Sequence, residues 1–466
     1  MIVARQKYPH HGQISLVDSV IRFKQPGPNV AIETDSSLTL HNVYVLGGST
    51  IVRGPRGPEL SSDRPGWLEV REFALGLAPP PTGRWTRFPG IRYGAPIYVD
   101  GKRLDRPSLA DVRYGTALPE DLQARHVWGD DFPSWQSPVA QNVKDPPYGA
   151  AGDGWSDDTD AIQRALDEKE IVFLPKGIYR VSKPLELRPD TKLIGVGRCF
   201  TWLVPLATGG GPFADPRHPQ PVVRTADGAE AQSAVAFLGI RAHLSCPGAY
   251  CLHWRSGRHS IFRGVNTVLP SRWAKPRGAP DPVYDFPLVL VSGHGGGRWY
   301  NFHQESWHFH GPGYRHLLVD GTTEPLHLYQ CNPEHARSEA NLEIRGARTV
   351  SLYGVKGEYH RPIITVRDSD HVRIFGYGGN AAAHPGKSLF VVSKTPNFLL
   401  TNLVDSPRFP GNGSPEHFAG EGVDPRRWLM LVEQSPDGAT VATRPLDRPV
   451  LYRRGDPGSP SLEMNR

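Results

Sequence analysis

Between Trp299 and Asn380 the chain repeats one pattern, a short run of alternating apolar residues that closes on a polar cluster. Leu326-His-Leu-Tyr-Gln-Cys-Asn-Pro-Glu334-His335 aligns without gaps with Val350-Ser-Leu-Tyr-Gly-Val-Lys356-Gly-Glu358, and both align with Val372-Arg-Ile-Phe-Gly-Tyr-Gly-Gly-Asn380. With Tyr329, Tyr353 and Phe375 as anchors the steps are 24 and 22 residues, and the residue five places on is Glu334, Glu358 and Asn380 in turn. Tyr300 and Glu305 continue the column backwards after a step of 29 residues. Alternating strands that recur every 20–30 residues predict a solenoid. Its stacked parallel coils place equivalent side chains roughly 4.8 Å apart, so the carboxylates are expected to line one face.

The same reading extends over most of the chain. Val30-Ala-Ile-Glu33 and Leu38-Thr-Leu-His-Asn-Val-Tyr-Val-Leu46 read as strands of a first, partial β-helix over 1–75. A Pro-rich connector with short strands follows over 76–145, then a solenoid over 146–405, then a C-terminal strand and extended tail over 406–466. The fold class expected is all-β, a right-handed parallel β-helix with the remnant of a second one at the N-terminus. Composition agrees: 50 Gly and 46 Pro against three Met make a turn-rich, helix-poor chain. No apolar run approaches the roughly 18 residues needed to span a membrane. The net charge of +6 is spread among 53 basic and 47 acidic residues rather than gathered in blocks, which reads as a mixed surface and predicts no nucleic-acid partner. Of the four cysteines, Cys246 and Cys251 could close a small loop or remain buried thiols, and no C-x2-C pair offers a zinc site. The first residues lack a signal-peptide profile although they already look like strands inside a larger body, so the chain is read as starting downstream of its natural beginning, with an extracellular or periplasmic location.

At Tyr148 the pattern becomes specific. Tyr148-Gly-Ala-Ala-Gly-Asp-Gly-Trp-Ser-Asp-Asp-Thr-Asp160 leads into a helix with the stripe Ala161, Ile162, Ala165 and Leu166, whose first turn Ser156 or Asp158 is expected to cap. Such a helix would cover the exposed edges of the first coil, and the aspartates at 157, 158 and 160 are read as capping groups rather than as a calcium site. Glu170-Ile-Val-Phe-Leu-Pro-Lys-Gly-Ile-Tyr-Arg-Val181 then supplies a strand pair. This stretch resembles the entry module of the pectate-lyase-like superfamily. The resemblance implies a right-handed parallel β-helix beginning near 145 and leaves the chemistry open, since lyases, hydrolases, epimerases and tailspikes share the module. Two β-helical bodies in one chain also resemble the tandem β-helix exo-β-1,3-glucanases.

The column suggests the chemistry. Glycoside hydrolysis needs two carboxyl groups beside the scissile bond, about 5–5.5 Å apart for retention and about 6.5–9.5 Å for inversion. Glu334 and Glu358 on adjacent coils suit the first range, and Glu305 is the more distant acid. Stacked acids do not both ionise cheaply, so Glu358 or Glu334 is expected to be the protonated acid. Lys356, His335, His303, Asn380, Trp307, Tyr359 and Arg361 are the expected substrate-binding neighbours, and Trp299, Tyr314 and Tyr377 are further candidate stacking faces. Lys356 and the histidines at 303, 335 and 360, with Arg361, could alternatively serve β-elimination on a uronate polymer. The third reading is a tailspike-like β-helix that holds a glycan without cleaving it, and monomer and trimer are both open. The expected partner is a polysaccharide or oligosaccharide, with no cofactor and no metal. His308 and His310 share a strand face but are read as groove lining.

Overall fold

The computed structural model describes residues 1–4, 13–25, 27–77, 94–127, 132–243, 245–268, 284–305, 311–358, 360–379, 381–403 and 427–458. The chain forms two compact units, 130–369 and 1–129 together with 370–466. Trp307, His308, His310, Tyr359 and Asn380 lie outside the described residues.

In the unit 130–369 the expected right-handed parallel β-helix is built from three ladders. One runs through Ile171–Leu174, Lys192–Gly195, Ala234–Ala236, Ile261–Arg263 and Gly297–Tyr300. A second runs through Gly177–Val181, Thr201–Pro205, Gly239–Arg241, Asn266–Val268 and His303–Glu305. Leu326–Glu334 is long enough to close both, pairing Tyr300 with Tyr329 at one end and Glu305 with Glu334 at the other. The third ladder links Gln220–Arg224, Ala249–Trp254, Val289–Ser292, Leu317–Asp320, Leu342–Arg345 and Ile364–Arg367. Inside, one coil stacks on the next: Phe262 lies on Trp299 with ring centroids 4.3 Å apart, and Trp254 meets Trp299 edge-on. Trp299, Tyr314 and Tyr377 are all buried, so these three are core residues and not sugar platforms.

The helix Thr159–Glu168 buries Ile162, Ala165 and Leu166 as expected. Its N-terminus differs from expectation, since Asp158 makes no side-chain cap. The Asp158 carboxylate instead accepts the Ala151 and Gly152 amides at 2.6 and 3.0 Å, Asp157 accepts that of Thr159, and Asp153 accepts that of Ser156. The acidic run therefore ties the entry turn to the helix.

In the other unit, Ile14–Arg22 and Leu38–Leu46 pair in parallel at a step of one coil. Trp67–Leu75 and then Ser108–Tyr114 add to them antiparallel. Ala31, Ile32, Leu40, Val43, Val52 and Phe73 form the core of this partial β-helix. Further along, Asp370–Gly378 pairs in parallel with Phe398–Thr401, which the antiparallel Leu451–Arg454 covers.

Both units turn their corners with single residues in the left-handed region. Phe237, Gly264, Asn301, Gln330 and Gly354 do so in successive coils, with φ between 56° and 72°. Only Gly takes this conformation without steric cost. The corner matters for the column. On an unbroken strand, residues five apart face opposite sides, yet Tyr329 and Glu334 both point outward because the left-handed Gln330 between them resets the alternation.

Candidate active site

Three coils bring the candidate residues together on the outer face just past the corner. Glu305 and Glu334 are direct register partners. Cys331 pairs with Val355, and continuing at that step sets Asn332 beside Lys356 and Glu334 beside Glu358. The result is two adjacent columns, His303–Asn332–Lys356 and Glu305–Glu334–Glu358. Upstream of the corner Tyr300, Tyr329 and Tyr353 stack in a ladder with centroids 5.0 and 4.7 Å apart. Their half-buried rings form an outer ladder.

Lys356 resolves the repulsion within the glutamate column. Its Nζ lies 2.5 Å from Glu334 and 2.7 Å from Glu358, so one ammonium serves two carboxylates. Burial works to lower the Lys356 pKa, but the hydrogen bonds to both glutamates carry it above the usual lysine range. His335 reaches Glu358 through Nε2 at 3.4 Å, while its Nδ1 stands 3.5 Å from Glu305 and 3.8 Å from Glu334. The hydrogen bond from His335, opposed by partial burial and reinforced by Lys356, holds the Glu358 carboxyl down at about 2. These contacts favour the ionised form of Glu358, against the expectation that it keeps the proton of an acid. Oxygens of Glu305 and Glu334 and a ring nitrogen of His335 lie within 4.8 Å of one another, a donor set able to hold a cation, although the neighbouring ammonium already occupies Glu334.

The turn after Glu334 is clamped from behind by residues the sequence pattern did not single out for that role. Burial drives the His316 pKa down to about 3, so the ring is neutral. Its Nε2–H donates to the Glu334 carbonyl at 2.6 Å, and its Nδ1 accepts the Tyr314 hydroxyl at 2.7 Å. Asn341 donates to the Pro333 carbonyl and accepts the Ala336 amide, each at 3.0 Å. Between these contacts His335 takes a left-handed φ of 66°. A buried His two residues from a Tyr on a strand edge is the one sequence signal that could have pointed here.

Beside the columns lies a cavity of about 410 Å³ lined by Arg198, Asn301, His303, Gln330, Asn332 and Lys356, among others. The left-handed corner residues thus form part of its wall. Burial lowers the His303 pKa, with Glu334 acting in the opposite direction. Arg361 is half-buried and makes no ion pair with the cluster among the described residues. All four cysteines are free thiols, and Cys331 sits at the cavity floor with burial pushing its pKa far up. No helix among the described residues is long and apolar enough to cross a membrane.

Residues 140–205 match the family described as rhamnogalacturonase A/epimerase, pectate lyase-like. A probable glucan endo-1,3-beta-glucosidase of Arthroderma benhamiae is 30% identical over 110 residues, 23% of this chain and 12% of that protein. A glucan 1,3-beta-glucosidase of Cochliobolus carbonum is 29% identical over 128 residues, 26% of this chain and 14% of its own length. Alginate lyase 7 of Azotobacter vinelandii is 56% identical over 46 residues, 9% of this chain and 5% of that protein. The chain thus spans only a small part of each relative's length. Among solved structures, a galactohydrolase of a sulfated galactose polymer aligns at a TM-score of 0.36 and 11% identity, covering 70% of this chain and 89% of that one. Residues 140–205, therefore, resemble the pectate lyase-like module described as rhamnogalacturonase A/epimerase, and they stand at the start of a parallel β-helix.

Proposed function

We propose that this protein cleaves a polysaccharide outside the cytoplasm by glycoside hydrolysis, with Glu334 as nucleophile and Glu305 as acid and base. The observation that carries this reading is the register pairing of Glu305 with Glu334, which brings an oxygen of each carboxylate within 4.8 Å of the other, nearer the roughly 5–5.5 Å carboxyl separation of a retaining enzyme than the roughly 6.5–9.5 Å of an inverting one. Glu334 is held at both ends, its carboxylate by Lys356 and its carbonyl by His316, which suits a group that must attack along one line. Glu305 is 43% exposed and can exchange its proton with solvent between steps. A Glu334 oxygen would bond to the anomeric carbon as the bond to the leaving oxygen breaks, and that oxygen takes the Glu305 proton. Water, giving its proton to Glu305, would then displace Glu334. Glu358 supports the site by orienting His335 and Lys356.

A second reading has an observation of its own. His303, kept neutral by burial, shares the cavity with Arg198 and Lys356, and this set could take a proton from a uronate whose carboxylate the cations neutralise. One experiment separates the two. The protein is incubated with neutral glucans and with uronate polymers, and new reducing ends are followed together with ultraviolet absorbance. Hydrolysis gives reducing ends without absorbance, whereas a conjugated double bond in the product removes the hydrolase reading.

A further inference from the structure

The unit comprising 1–129 and 370–466 has a cavity of its own, about 360 Å³, at the outer side of the corner formed by the left-handed Asn42. Strand register arranges its floor in two rows. His41, Glu72 and Asp111 make one, and Tyr44, Glu69 and Arg113 the other. Arg453 and Asp456 contribute from the C-terminal part of the same unit.

Two observations indicate that this cavity is built for a ligand. His41 is only 7% exposed and its Nε2 has no hydrogen-bond partner among the described residues; the buried Nε of the partly exposed Arg453 has none either. Buried polar atoms left unmatched are rare in folded proteins, and here both belong to the lining of one concave space. The second observation is charge. Arg71, Arg113, Arg125 and Arg453 line the cavity against Glu69, Glu72, Asp111 and Asp456. Several are already paired: Arg71 with Asp111 at 3.0 Å, Arg453 with Glu72 at 3.6 Å, and Arg125 with Asp121 at 2.7 Å. Burial, with the Arg453 charge adding to it, lowers the His41 pKa to about 3, so the ring adds no charge. A charged ligand would meet a like charge on either side, whereas hydroxyl groups can accept from an Arg Nε–H and donate to a carboxylate or an imidazole nitrogen in the same pose.

We propose that this cavity is a second carbohydrate-binding site that takes a neutral, hydroxyl-rich sugar unit without cleaving it. The volume falls within the usual range for small-ligand pockets, about 300–1,000 Å³. Such a site would hold a glycan chain to the protein independently of the glutamate column. The choice of sugars as ligand rests on the glycan reading above, but the binding itself does not require cleavage.

The test is calorimetric titration of the full chain carrying Glu334→Gln, which blocks the proposed turnover, with neutral gluco-, galacto- and manno-oligosaccharides and with a uronate trisaccharide as the charged comparator. A neutral oligosaccharide is expected to bind saturably. Arg113→Trp, which fills the rim from an exposed position, and His41→Leu, which removes the unmatched nitrogen, should each weaken binding by about tenfold or more, with thermal unfolding confirming that both variants fold. The inference is overturned if no neutral sugar binds saturably at millimolar concentration, if the uronate binds more tightly, or if both folded variants bind as the parent does. Cleavage of glycans without such binding would spare the hydrolase reading and sink this one. Binding without cleavage of any glycan would do the reverse.

Discussion

The two corner cavities use one backbone device and opposite arrangements of charge. In the unit 130–369 the strands at the corner are parallel, so equivalent positions of successive coils stack and three glutamates fall in one column. The stack is tolerable because Lys356 comes in from the adjacent column and serves two of them. At the Asn42 corner the third and fourth strands run antiparallel and residues meet in reversed order: Glu72 faces Asp111 and Glu69 faces Arg113, while Arg453 and Arg71 pair with Glu72 and Asp111. The parallel stack gathers three carboxylates beside one ammonium, whereas at the antiparallel corner the facing acids Glu72 and Asp111 are each paired with an arginine of their own.

The sharpest way to break this contrast is to remove the group that the parallel stack makes special. Glu334→Gln should lower the rate of glycan cleavage on the order of a thousandfold with little change in melting temperature, as read by reducing-end release.

The clamp behind Glu334 comes next. His316→Phe strands the Glu334 carbonyl and the Tyr314 hydroxyl and should cost about 2–3 kcal/mol in a denaturant titration. Because the folded His316 has its pKa held at about 3 against an ordinary 6.5, its contribution is complete above pH 6.5 and is lost as pH falls from there toward 3. The variant's stability should accordingly depend less on pH across that window.

A smaller effect is expected at the shared ammonium. Lys356→Met leaves buried Glu334 and ionised Glu358 without their cation. Since Lys356 is 44% exposed, the cost should be only about 1–2 kcal/mol. The Glu358 carboxyl, held at about 2 rather than 4.5, contributes stability above pH 4.5 that disappears as pH falls toward 2. Without Lys356 that contribution should shrink and be exhausted at a higher pH, visible as an acid-unfolding midpoint displaced upward.

The smallest effect sharpens the other side. Burial raises the Glu72 pKa, with Arg453 working against it, so the folded state favours the protonated form and loses stability as pH rises. Glu72→Gln should change the melting temperature by no more than a few degrees. Its advantage over the parent should be greatest at alkaline pH and vanish in acid, where the parent carries a proton at the same place.

Much of the architecture could be read from residues alone. The step from Tyr329 to Tyr353 is the observed register, the helix after Asp158 buries the stripe expected of it, and Glu305, Glu334 and Glu358 share a face. Alternation and repeat length are local properties of the chain, and local properties survive in any fold that uses them. The roles of Asp158 at the helix start and of Trp299, Tyr314 and Tyr377 in the core were not readable that way. The Asp158 carboxylate bonds amides six and seven residues back, a contact that only the folded turn creates, and an aromatic ring can face either side of a strand.

What the sequence determined by itself is the coil, its period and the composition of the glutamate column. Only the tertiary structure decided that Tyr329 and Glu334 face the same way, that Lys356 binds two acids at once, and that His316 fixes the turn beneath them. The reason is physical. A residue such as Gln330 or Phe237 carries no sign that it will adopt a left-handed conformation, because the stacked coils above and below select that conformation. Once it is adopted, it changes the facing of every side chain beyond it.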